Sequence, residues 1–106
     1  MKNYNIAIIG LGYWGTIVTN TVISMGLFNK VYIHDNDISK VRIIKRKFGN
    51  KVIEKKFDEI KKDKNISNIF LATPPKINFE ILKTINRYKK NILIEKPGMV
   101  NLKFFR

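Results

Sequence analysis

The sequence has no cysteine, a single histidine and only four arginines among its 106 residues. Without cysteine, disulfides, thiolate metal sites and cysteine nucleophiles are all excluded. With His34 as the only imidazole, neither a histidine metal cluster nor a Ser-His-Asp arrangement is expected. Long apolar runs are missing as well. The first, Ile6 to Ile9, stops at a glycine turn and is too short for a signal peptide's apolar region or a membrane span. A cytoplasmic location with no membrane partner is therefore expected.

Hydrophobic residues make up 44% of the chain and aromatic residues 11%, the balance of a globular domain with a real core rather than a disordered tail. The formal charge is +13. Such a charge either forms a basic surface that attracts nucleic acid or phosphates, or reflects a lysine-, asparagine- and isoleucine-rich composition spread over solvated helix faces. Arginine, whose planar fork serves base and phosphate contacts, stands only at Arg42, Arg46, Arg87 and Arg106. Its scarcity favours the second reading, and no specific nucleic-acid partner is expected.

Apolar runs of four to six residues alternate with longer segments of helical period, the pattern of βαβ units and an α/β fold with a doubly wound parallel sheet. Strands are expected near Tyr4 to Ile9, Lys30 to His34, Lys51 to Ile53, Asn68 to Ala72 and Asn91 to Ile94. A helix from Trp14 to Met25 would turn Ile17, Val18, Thr21 and Val22 to the sheet and end at Gly26. Ser39 can cap a second helix running to Phe48 and stopped by Gly49. The segment Phe57 to Lys64 offers one or two turns, and Ile77, Ile81, Leu82, Ile85 and Tyr88 mark the strongest helical stripe. Five strands in the order 3-2-1-4-5 are expected, with the chain stopping before a last strand and leaving one sheet edge uncovered. Residues 1–106 read as one domain.

Gly10-Leu11-Gly12-Tyr13-Trp14-Gly15 follows the first strand directly and opens a helix. In that context G-x-G-x-x-G is a dinucleotide fingerprint: a tight turn, a close backbone approach to pyrophosphate, and tight helix–strand packing. The helix N-terminus offers N–H groups and a positive dipole end to the anion. Tyr13 and Trp14 either flank the pyrophosphate or cover the end of the sheet. Asp35 falls at the end of the second strand, about twenty residues past Gly15, where an acid accepts the adenosine ribose hydroxyls. It reads alternatively as a turn aspartate of His34-Asp35-Asn36-Asp37. A carboxylate there repels a 2′-phosphate and favours NAD over NADP, an effect that Lys40 and Arg42 soften.

Together with this loop, Ala72-Thr73-Pro74-Pro75 and Glu95-Lys96-Pro97 complete three motifs in one order. The chain resembles the nucleotide-binding half of the Gfo/Idh/MocA oxidoreductases, the glucose–fructose oxidoreductase and inositol dehydrogenase family. The resemblance covers nearly the whole chain and implies a Rossmann-type domain. It implies that Thr73, Pro74 and Pro75 shape the nicotinamide pocket and that Glu95 and Pro97 belong to the cofactor site. It further implies that Lys96 reaches both cofactor and substrate and acts in catalysis. Asn78 stands where the family usually has a histidine, and Lys89 where it usually has a glycine.

The resemblance also implies a second domain that carries the substrate contacts, and this sequence has none. The expected role is thus the NAD(P)-binding part of an oxidoreductase acting on a sugar or nucleotide-sugar hydroxyl, inactive alone. The partners are a dinucleotide and, given the second domain, a sugar-type small molecule. The alternative is a stand-alone nucleotide-binding regulatory or sensor module that forms a homo-oligomer through its uncovered edge.

Overall fold

The computed structural model describes residues 4–94 and 103–105. Five parallel strands form its centre: β1 (Asn5–Ile9), β2 (Lys30–His34), β3 (Ile53–Glu54), β4 (Asn68–Leu71) and β5 (Asn91–Ile94). They lie in the order β3-β2-β1-β4-β5, as the alternation of apolar runs and helices predicts. A sixth strand, β6 (Lys103–Phe105), pairs antiparallel with β5 and places Ile94 opposite Lys103. This strand adds to the five that the sequence pattern predicts, because three residues are too few to show a period of two.

The helices α1 (Tyr13–Met25), α2 (Ile38–Phe48), α3 (Phe57–Lys62) and α4 (Pro75–Ile85) divide between the two faces of the sheet. Alternation along each strand sorts the side chains. Ile6, Ile8, Val31, Ile33 and Phe70 pack with Val18, Val22, Val41 and Ile44 of α1 and α2. Ala7, Ile9, Tyr32, Ile69 and Leu71 pack with Ile60 and Ile85 of α3 and α4. Every residue of β1 and β4 is buried, as a strand covered on both faces requires.

Four local expectations are corrected. Asp37, not Ser39, caps α2: its carboxylate accepts from the Ser39 N–H at 3.0 Å and from the Ser39 hydroxyl at 2.6 Å. These two bonds hold the Asp37 carboxyl below its usual value of 3.8. On α1 the buried stripe is Gly15, Val18, Thr19 and Val22, with Thr21 exposed. Thr19 can lie inside because its hydroxyl donates to the Gly15 carbonyl at 2.7 Å and leaves no polar atom unmet. On α4 Ile77 is exposed and Asn78 is buried. The third strand starts at Ile53, because a 3-10 turn, Gly49–Lys51, takes up the residues before it.

Candidate cofactor site

The carboxyl ends of β1, β2, β4 and β5 open onto one cavity of about 630 Å³, within the range of small-molecule sites. Gly10 and Gly12 line it at the centre, Asp35 and Lys40 from β2 and α2, Thr73 and Asn78 from the β4–α4 turn, and Ile94 from β5. Ligands of open α/β sheets sit at this end, where the strand order reverses about β1 and β4.

The chain leaves β1 through Gly10, whose φ of 98° is a conformation that side chains rarely adopt. Its N–H donates to the His34 carbonyl at 2.9 Å, which ties the turn to the end of β2. A Cβ at Gly15 would stand 1.8 Å from the Gly10 carbonyl oxygen. Only glycine allows α1 to start this close to β1. At Gly12 a Cβ would meet no protein atom within 4 Å, so that position faces open space.

Gly12 is the N-cap of α1, with no side-chain cap and no acidic residue in the first turn. The first-turn N–H groups are therefore left to solvent or an anion. Tyr13 is 78% exposed and Trp14 39%. Both line the cavity, their rings in edge-to-face contact at 5.6 Å. The chain's own atoms thus fit a dinucleotide pyrophosphate: an uncapped helix start, a bare backbone and an adjoining cavity.

Asp35 is held from two sides. Its Oδ2 accepts from the Leu11 N–H at 2.7 Å and its Oδ1 from the Asp37 N–H at 2.8 Å. The turn reading of this residue is thereby observed: the side chain closes the local turn and also clasps the glycine loop. Each carboxylate oxygen keeps a further lone pair, so the group can still accept hydroxyls. His34 has turned away, stacked on Phe57 at 6.0 Å.

Beyond β4, Ala72 N–H donates to the Ile9 carbonyl at 2.8 Å, and Pro74 and Pro75 start α4. The Thr73 hydroxyl donates to Oδ1 of Asn78. Asn78, 7% exposed, is a buried polar residue of the cavity wall that helical periodicity does not single out, because an amide inside an apolar stripe carries no pattern of its own. Glu95, Lys96 and Pro97 lie outside the described residues. Among the described residues no cluster of three or more metal-ligating side chains occurs, and no helix is long and apolar enough to cross a membrane.

Solved structures share this fold. GenD2 of gentamicin A biosynthesis, in complex with NAD, is 21% identical with a TM-score of 0.77, over 95% of this chain and 29% of its own. A Desulfitobacterium hafniense protein assigned as an NADPH-dependent oxidoreductase is 18% identical with a TM-score of 0.78, over 95% and 29%. Scyllo-inositol dehydrogenase of Lactobacillus casei, with bound NAD(H) and scyllo-inositol, is 20% identical with a TM-score of 0.73, over 91% and 28%. The chain thus spans under a third of the length of each. No curated protein matches it. The model of the Gfo/Idh/MocA oxidoreductases, described by their NAD-binding Rossmann fold, matches residues 4–103, and the chain belongs to that family.

Proposed function

We propose that residues 1–106 are the dinucleotide-binding unit of an oxidoreductase that acts on a hydroxyl of a sugar or nucleotide sugar, with NAD preferred to NADP. One observation carries the reading: the glycine loop, Asp35 and the Thr73–Pro75 turn, distant in sequence, line a single cavity. In it the bare N-terminus of α1, from Gly10 to Gly15, takes the pyrophosphate, with the Tyr13 and Trp14 rings beside it. Asp35 accepts the adenosine ribose hydroxyls. Thr73, Pro74 and Pro75 wall the nicotinamide end, and Glu95, Lys96 and Pro97, next after Ile94 in the sequence, belong to the same site in this reading.

A dinucleotide held by the Gly10–Gly15 loop and Asp35 would supply hydride exchange with the carbon that bears the substrate hydroxyl. Lys96 shares or polarises the hydroxyl proton, and Glu95 orients Lys96 or the cofactor. Substrate contacts come from a second domain, so this unit alone binds cofactor and turns over nothing. A polyhydroxylated substrate agrees with the scyllo-inositol held by the Lactobacillus casei enzyme. The alternative is a stand-alone nucleotide-binding sensor module that oligomerises through an uncovered sheet edge; β6 pairs along β5, so the edges on offer are those of β3 and β6.

The sole tryptophan, Trp14, reports on the cavity that it lines. Its fluorescence is titrated with NAD, NADP and adenosine. Saturable change with NAD, weaker with NADP and weakest with adenosine, is expected. A folded chain whose Trp14 signal and heat of mixing ignore all three overturns the assignment.

A further inference from the structure

A second cavity, of about 470 Å³, opens between α4 and β5, again within the range of small-molecule sites. Leu82 and Ile85 of α4 and Ile92 of β5 give it aliphatic walls, and Phe79 and Tyr88 add two rings. It contains no part of the glycine loop, Asp35 or the Thr73–Pro75 turn. Among the described residues no carboxylate lines it, whereas Lys83 and Lys90 do.

Lys90 is the polar group inside. Its ammonium donates to the Asp63 carbonyl at 2.6 Å and to the Ile66 carbonyl. An ammonium has three donors, and no third acceptor meets this one among the described residues. Burial holds the Lys90 amine below its usual value, against the pull of Asp63, so the charge is short of a counter-ion. The Asp63 carboxylate itself is turned to the Asn65 N–H and to Lys55. At the mouth, Lys83 lies over the Phe79 ring and Arg87 over the Tyr88 ring. The one acid there, Glu80, is exposed and paired with Lys83.

We propose that this cavity is a second binding site, for a small carboxylate with an aliphatic or aromatic body. The apolar walls take the body, and the carboxylate accepts the third N–H of Lys90. A single free donor suits a compact monoanion better than a phosphate, with its three strong acceptor oxygens. A second copy of this chain is the poorer occupant. It would bring its own Lys83, Arg87 and Lys90 against these, a like-charge contact.

The test is calorimetry on the full chain with octanoate and, as the uncharged probe of equal length, octanol. Octanoate should bind saturably and octanol about five- to tenfold more weakly. Lys90→Met should bring octanoate down to the octanol level and leave octanol within about twofold. Asn86→Phe, at an exposed position on the rim, should fill the mouth and weaken both probes. Circular dichroism checks each fold, and if Lys90→Met does not fold, the probe comparison and Asn86→Phe still decide. Equal affinities for the two probes, no saturable heat from the folded chain, or binding that ignores Asn86→Phe overturns the proposal. Sedimentation as a dimer that Asn86→Phe dissociates also overturns it, and assigns the cavity to a second copy. The dinucleotide reading stands or falls separately, on the Trp14 titration.

Discussion

Replacing Gly15 by alanine places one methyl group where the fold has no room. The new Cβ would stand 1.8 Å from the Gly10 carbonyl oxygen and 2.7 Å from its carbon. Non-bonded heavy atoms settle at about 3.5 Å, so helix or turn must retreat by roughly 1.5 Å. No side chain can rotate away, because both atoms are backbone. Overpacking costs about 1–3 kcal/mol when side chains can adjust, and here the upper end is the minimum. A loss of about 3 kcal/mol, against a typical total of about 5–15, lowers Tm by more than about 10 °C in a domain of this size. Gly12→Ala is the control: its Cβ meets nothing within 4 Å, so the melt should hardly move. It projects into the space assigned to the pyrophosphate, so NAD affinity should fall. Thermal melts followed by circular dichroism, with Trp14 titrations, separate the two effects. A Gly15→Ala variant melting within about 2 °C of the parent would refute the steric argument. A Gly12→Ala variant that binds NAD as the parent does would refute the loop's role.

Asp35→Ala strips the acceptor from the Leu11 and Asp37 N–H groups and should cost about 1–2 kcal/mol, read as a lower urea midpoint, together with weaker NAD binding; no change in either measurement contradicts the clasp. Asn78→Leu leaves the Thr73 hydroxyl without its acceptor, a loss of about 1–3 kcal/mol, and adding Thr73→Val should recover most of it, since apolar replacement of both partners is nearly neutral. A double variant no more stable than Asn78→Leu would count against that bond. The Asp63 carboxyl is held below 3.8, first by the Asn65 N–H at 2.8 Å and then by Lys55 at 3.1 Å. Its stabilising effect is full above the unfolded pKa of about 3.9 and is lost as pH falls through the lower folded value. Unfolding curves below about pH 4 should therefore weaken less steeply in Asp63→Asn than in the parent, and parallel curves would contradict the assignment.

The strand order, the glycine loop and the position of Asp35 were legible because each rests on a local pattern: apolar runs, glycine spacing, an acid at a strand end. Less was legible where one polar atom decides the outcome. Asp37 and Ser39 are both good caps by composition, and only their mutual hydrogen bonds determine which one starts α2. Thr19 and Thr21 look alike in a helical stripe, yet the phase of α1 is set by Gly15, which must face the turn. On α4 the residues 78, 82 and 85 run along the buried line, which moves Ile77 to its flank and brings Asn78 inward. That amide is the part of the site that apolar periodicity conceals, and a threonine five residues before it was the available signal. Strands β3 and β6, of two and three residues, are too short for any period to mark.

The place of β1 at the centre of the sheet has a consequence during synthesis. Its partner β2 lies close behind it, with Ile9 opposite His34, but its other partner arrives much later, with Ile9 also opposite Leu71. After His34 emerges, 37 further residues (71 − 34) must follow before that second flank can be covered. At roughly 5–20 residues per second this takes about 2–7 s. For that interval the nascent chain carries a largely apolar strand with one row of peptide groups unpaired, the kind of edge that recruits other chains. Slow translation between Asp35 and Leu71 would lengthen the exposure, and a chaperone that covers β1 during those seconds would matter more to yield than the stability of the finished domain.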